Sequence, residues 1–386
     1  MRFRHRDGSA VHLAYCTNVH PAESLDGVLA QLADYAEPIR RRLGWDRLGL
    51  GLWLARPVAA RLAAAPGSLA VLRRQLDRRG LEVVTLNAFP YAGFHAPSVK
   101  KAVYRPDWTE PDRLHYTLDC ARVLAALLPE GADRGSVSTL PLAWREPWSS
   151  ARADRARRHL DSMAQRLAAV ETRTGRAVRV GFEPEPGCLI ENTTQAATLL
   201  STVDRDRLGV CLDACHLAVG FEDPTAACAR LHAAGLPIVK TQASCALQLD
   251  NPRDRLARAA LERFDERRFL HQTRERHTDT VLGTDDLPEA LAGALPGDGP
   301  WRVHFHVPLH TDPPPGLRAT RPELLKTLGV LLGGDAALTD HIEVETYSWP
   351  VLPEAPGCAG LVEGVAAELA WTRDAITALG LKEVLS

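Results

Sequence analysis

No CxxC pair occurs among the eight cysteines, Cys16, Cys120, Cys188, Cys211, Cys215, Cys228, Cys245 and Cys358. Scattered in this way over 386 residues, they read as reduced, mostly buried thiols and not as a disulfide framework or a cysteine-rich zinc site. No run of eighteen apolar residues is present, which excludes a conventional transmembrane helix. The basic start MRFRHRDGSA is followed by no apolar h-region, so no secretory signal is expected and the predicted compartment is the cytoplasm. Neither sign of charge is in excess: 46 Lys and Arg stand against 48 Asp and Glu, a formal charge of −2. That balance argues against nucleic-acid binding through phosphate contacts and against adsorption to an anionic membrane. Repeats of 20–50 residues and low-complexity linkers are lacking too, which leaves one domain over residues 1–386 as the expectation.

What the chain does have is alternation. Nine β-rich runs are visible: HLAYCTNVH (12–20), LGLGLWLA (48–55), LEVVTLNAFP (81–90), GSVSTLPL (135–142), VRVGFEPEP (178–186), LGVCLDACH (208–216), PIVKTQAS (237–244), WRVHFHVPL (301–309) and HIEVETYSW (341–349). Between them lie segments with apolar residues three and four apart, such as DRLHYTLDCARVLAALLPEG and ARADRARRHLDSMAQRLAAVE. Strand–helix repetition of this kind builds right-handed βαβ units around a parallel sheet, and eight units close a (β/α)8 TIM barrel. The fold class is therefore α/β, with one strand surplus. Residues 248–300 are charged and helix-like and read as an elaborated late βα connection.

In such barrels the chemistry sits at the carboxyl ends of the strands. There, GFEPEPG offers Glu183 and Glu185 on one side of a strand, or alternatively two acids of a solvated turn. LDACH carries Asp213 and His216, where Asp213 either binds a cation or caps the next helix. WRVHFHVPL presents His304 and His306 on one face, and HIEVETYSW presents Glu343 and Glu345 likewise; a half-wet antiparallel strand would show the same pattern. Hard oxygen donors with one imidazole, arriving on successive strand ends, suit Mn²⁺, Mg²⁺, Co²⁺ or Zn²⁺. Asn18, His20, Asn87, His95, Ser138, Lys240 and Gln242 are polar groups near strand ends that could shape a pocket, with Tyr91, Phe94, Tyr104 and Trp108 as loop aromatics.

The motifs EPEPG, LDACH, HFHVP and EVET resemble the divalent-metal constellation of the xylose-isomerase-like barrels, the superfamily of sugar isomerases and epimerases. More narrowly, AYCTNVHPAES, LNAFPYAGFH, VYRPDW, EPEPGCLIENT and VETYSWPVLP resemble the EboE-type metabolite traffic proteins along nearly the whole chain. That resemblance implies a divalent ion held by Glu183, Asp213, His306 and Glu345, with Glu343 in reserve for Glu345. It implies Glu183 and Glu345 as catalytic acid and base, with Glu185 and His216 at the substrate; Gln242, His304, Asn87, His95 and Lys240, from their places at strand ends, are further candidates to line the substrate pocket. The substrate expected is a polyol, keto-sugar or cyclitol-like metabolite, and the implied partners are other Ebo-cluster proteins. One departure stands out: KTQAS places Gln242 where the family pattern expects a histidine. Either the imidazole comes from a later strand or the metal site is altered. Two other readings remain open, a metabolite carrier that uses the same pocket without turnover and a metal-dependent hydrolase, although the first run lacks the HxH of amidohydrolases.

Overall fold

The computed structural model describes residues 1–278, 280–354 and 357–384; the side chain of Cys358, expected to be buried, lies outside the described residues. The other seven cysteines are buried and unpaired, as their spacing suggests.

Eight parallel strands form a closed ring: Ala10–Cys16, Leu48–Trp53, Leu81–Asn87, Arg134–Thr139, Ala177–Phe182, Leu208–Asp213, Ile238–Ala243 and His341–Val344. The last pairs with both the seventh and the first, which closes the barrel. Helices follow the 3.6-residue pattern on the outside. Ser150–Thr174, for example, is capped by the Ser149 hydroxyl at its start and by left-handed Gly175 (φ 67°) at its end. It buries Leu160, Met163, Leu167 and Val170 against the ring. Among the described residues no helix is long and apolar enough to cross a membrane.

The surplus run is WRVHFHVPL. Only Trp301–Val303 is strand, and it pairs antiparallel with Thr273–His277 and Leu247–Leu249 in a second, five-stranded sheet completed by Thr280–Thr284 and Arg318–Ala319. This sheet occupies the connection between the seventh and eighth ring strands. The stretch 248–300 is helical only in part: besides the helix Arg255–Glu262 and the short helical turns Leu287–Glu289 and Ala290–Ala294, it holds the hairpin Thr273–His277/Thr280–Thr284, which the helix-like expectation missed. Its charges misled because two of them are buried and bonded. Glu275 accepts hydrogen bonds from the backbone N–H groups of Gly297, Asp298 and Gly299 and from the Trp301 indole. Arg274 pairs with Glu191 at 2.7 Å.

The ring interior is partly polar. Lys240 and Glu343 form an ion pair with both side chains fully buried. Gly51 makes room for it, because a Cβ there would lie 1.2 Å from Glu343 Oε1. Towards the amino end of the strands, His12 and His341 meet edge-on at 5.5 Å, and His341 Nδ1 lies 2.6 Å from Ser136 Oγ. Burial lowers the pKa of both imidazoles to about 3, so they are neutral in the folded chain. A histidine depressed in this way stabilises the fold fully above its unfolded pKa of ~6.5, and loses that contribution as pH falls towards the folded value. The variant His341→Asn should therefore flatten the dependence of unfolding free energy on pH between 4 and 6 by roughly 1.4 kcal/mol per pH unit. Urea titrations at several pH values in that window measure the slope, and an unchanged slope would mean that His341 is already protonated in the native state.

Candidate metal centre

Three ring strands deliver carboxylates to one point. Glu183 follows the fifth strand, Asp213 ends the sixth and Glu345 follows the eighth; each is buried, and one carboxylate oxygen from each lies within 4.8 Å of the others. The imidazole comes from elsewhere. His304 and His306 leave the second sheet just after Trp301–Val303, and His306 Nε2 stands 3.9 Å from Asp213 Oδ2.

Asp213, Glu345 and His306 are each oriented by bonds that use one atom and spare another. Asp213 Oδ1 accepts the His216 N–H at 3.0 Å and the Ser244 hydroxyl at 2.7 Å, so Asp213 is both a helix cap and a donor to the centre. Glu345 Oε1 accepts from the amides of Asn18 at 2.8 Å and Asn87 at 2.9 Å. His306 Nδ1 donates to the Glu345 carbonyl at 2.7 Å, which fixes the tautomer and leaves Nε2 with its lone pair. Glu183 Oε2, Asp213 Oδ2 and His306 Nε2 are buried and have no hydrogen-bond partner among the described residues. Burial alone makes such atoms costly.

Charge follows the geometry. Burial, then the charges of Glu345 and Asp213, hold the Glu183 carboxyl well above the usual carboxylate range. Burial and the neighbouring Asp213 and Glu343 push Glu345 up to about 8. His306 is lowered to about 4, chiefly by burial, and so offers a neutral imidazole. Three crowded carboxylates and one bare imidazole nitrogen, with Glu183 Oε2, Asp213 Oδ2 and His306 Nε2 unpartnered among the described residues, form a donor set that fits a divalent cation. Oxygen ligands with one nitrogen suit Mn²⁺, Mg²⁺, Co²⁺ and Zn²⁺ alike.

The centre opens into a pocket beneath the loops that carry Phe94 and Phe269. Glu185 lines it, accepting the Tyr104 hydroxyl at 2.6 Å, and burial raises its carboxyl to about 7. His216 and His304 also line it, with their Nε2 atoms 3.0 Å apart. Asn87 reaches it through Glu345. Lys240 and Gln242 lie on inward positions of the seventh strand beneath it, Lys240 bound to Glu343 and Gln242 with an amide unpaired among the described residues. His95 packs on Trp53 at 5.5 Å, behind the loop that carries Asn18.

Four contributors escape sequence reasoning. Ser244 holds Asp213 from the next strand. Gln272 accepts the His304 Nδ1–H at 2.7 Å while its amide nitrogen donates to Tyr104 and to the Pro186 carbonyl. Tyr347 packs against His306, ring centroids 4.6 Å apart and tilted by 45°. Glu368, on the helix Cys358–Ala378, accepts from Leu309 N–H, the Thr346 hydroxyl and the Trp349 indole, and so ties the two segments that carry His306 and Glu345. Only Tyr347 carried a signal, as the residue two past Glu345.

A model of the xylose isomerase-like TIM barrel family matches residues 41–255. Among solved structures, the chain is similar to a xylose isomerase domain protein from Alicyclobacillus acidocaldarius, at 16% identity and TM-score 0.47, over 96% of this chain and 100% of that one. It is similar to the IolI protein with a bound zinc atom, at 13% identity and TM-score 0.47, over 95% and 98%. A D-psicose 3-epimerase crystallised with D-fructose gives 12% and 0.47, over 94% and 99%. No curated protein matches the sequence.

Proposed function

The chain belongs to the xylose isomerase-like TIM barrel family, and from that premise we propose that it is a divalent-metal-dependent isomerase or epimerase of a polyol, keto-sugar or cyclitol-like metabolite, acting in the cytoplasm. The observation that carries this reading is the meeting of the Glu183, Asp213 and Glu345 carboxylates within 4.8 Å, with His306 Nε2 3.9 Å from Asp213 Oδ2, while Glu183 Oε2, Asp213 Oδ2 and His306 Nε2 are buried and unbonded among the described residues. When bound, a divalent ion supplies Lewis acidity at a substrate carbonyl.

The chain's own residues do the rest. Asn18 and Asn87 orient the Glu345 carboxylate, and the Glu345 carbonyl orients His306. Glu183 and Glu345, which reach the site from the ends of the fifth and eighth strands, take a proton from the carbon next to the carbonyl and return one. Acid–base groups so placed contribute about 10²–10⁴-fold. Glu185, His216 and His304 face the substrate's hydroxyls from the cavity floor. The imidazole from the second sheet supplies what Gln242 on the seventh strand does not, and this favours turnover over a carrier role. The narrower motifs AYCTNVHPAES and VETYSWPVLP support a place in processing or traffic of secondary-metabolite precursors, with Ebo-cluster proteins as partners.

The test has two parts. Elemental analysis of protein purified without chelator should find about one equivalent of divalent metal per chain. A panel of ketoses and cyclitols with Mn²⁺ should reveal interconversion that drops about 10²–10⁴-fold in Glu183→Gln. Turnover untouched by that substitution would sink the proposal.

A further inference from the structure

The cavity has two chemically different halves. Its floor is the cluster of Glu183, Glu185, His216, His304, His306 and Glu345. Its outer wall is built from Phe89, Phe94, Val99, Val103, Phe269 and Leu270. These come from two loops clamped together, since Val99 N–H and Lys100 N–H both donate to the Arg268 carbonyl, at 2.7 and 2.9 Å. Phe94 and Phe269 meet at 5.0 Å, and each contacts Tyr347, at 5.6 and 4.9 Å. The four phenylalanine and valine side chains at 89, 94, 99 and 269 belong to buried clusters, so the wall is ordered by packing before any ligand arrives.

The polar side chains of this wall are already engaged. Lys100 Nζ is paired with Asp286 at 2.6 Å. The Tyr104 hydroxyl donates to Glu185 and accepts from Gln272. The Tyr347 hydroxyl lies 3.4 Å from His304 Nε2. A free sugar whose first carbons reach the floor would press its distal hydroxyls against this wall, where they lose water and gain no partner. An aromatic ring alone does not remedy that, because a sugar stacked on its face still needs donors and acceptors for the hydroxyls at its edge. An apolar substituent, in contrast, gains from the same contact.

From this division we infer that the substrate is amphiphilic, a short oxygen-rich head at the metal end joined to an apolar substituent lodged against the phenylalanine–valine wall. The inference rests on the proposed metal-bound head, and its test separates the two. The probes are 1-hydroxy-2-alkanones from three to six carbons, which share one α-hydroxycarbonyl head, and D-erythrulose, a four-carbon ketose that stays open-chain. Binding to the full chain is measured by calorimetry with Mn²⁺ and with chelator. Affinity should rise roughly fourfold per methylene along the alkanones. It should be higher for 1-hydroxy-2-butanone than for erythrulose. Val103→Thr, nearly isosteric, and Phe94→Ser should each reduce the rise per methylene while leaving the three-carbon member unchanged. A rise that persists in chelator would remove the metal-bound head and keep the apolar wall. A flat series, tighter binding of erythrulose, or no binding by any member in either condition would overturn the inference.

Discussion

Asp213→Ala is expected to weaken divalent-metal binding by on the order of 100-fold or more, since loss of even an outer-shell partner costs about 10–100-fold. Asp213 is the member of the centre with the fewest degrees of freedom, its Oδ1 held by His216 N–H and Ser244 while Oδ2 faces His306. Ser244→Ala removes the restraint and keeps the carboxylate, so its loss should fall within that 10–100-fold range. In chelator, the alanine variant should melt close to the parent. It gives up a helix cap worth about 1 kcal/mol, and it relieves the repulsion that holds Glu183 and Glu345 above the usual carboxylate range. Competition titration with a fluorescent chelator reads the affinity. Equal metal content in parent and Asp213→Ala would place the ion elsewhere or nowhere.

Lys240→Met should cost about 3–5 kcal/mol of stability, because it strands Glu343 as an uncompensated charge inside the ring. The double variant Lys240→Met/Glu343→Leu should recover most of that loss, since a buried pair is replaced by apolar groups of similar size. Gly51→Ala should resemble the single variant, its new methyl group displacing the Glu343 carboxylate. Urea midpoints at constant m-value measure all three. A loss below about 1 kcal/mol for Lys240→Met would show that water reaches the pair.

The ring was legible because its strands are short apolar runs ended by turn residues, and the eight that close it are all visible as such. The surplus run, WRVHFHVPL, has the same local pattern but pairs antiparallel outside the ring, and nothing local distinguishes the two outcomes. That one ambiguity bears on Gln242 as well. KTQAS is the seventh ring strand and HIEV the eighth, so the imidazole at the centre enters from the second sheet instead of from a ring strand. The carboxylates at 183, 213 and 345 could be anticipated because a strand end fixes their position locally. Ser244, Gln272 and Glu368 could not, since their importance lies in contacts 31, 32 and 59 residues away along the chain.

The excursion between the seventh and eighth strands returns two histidines to the barrel mouth and is stitched there by Glu368 and by the carbonyl of Glu345. A cation gripping both the ring and this appendage would act as a rivet, favouring the docked arrangement by whatever free energy its capture releases. Docking of the appended sheet would then be coupled to capture of the ion, and starvation for metal would be felt first as fraying of that sheet while the cylinder itself endured.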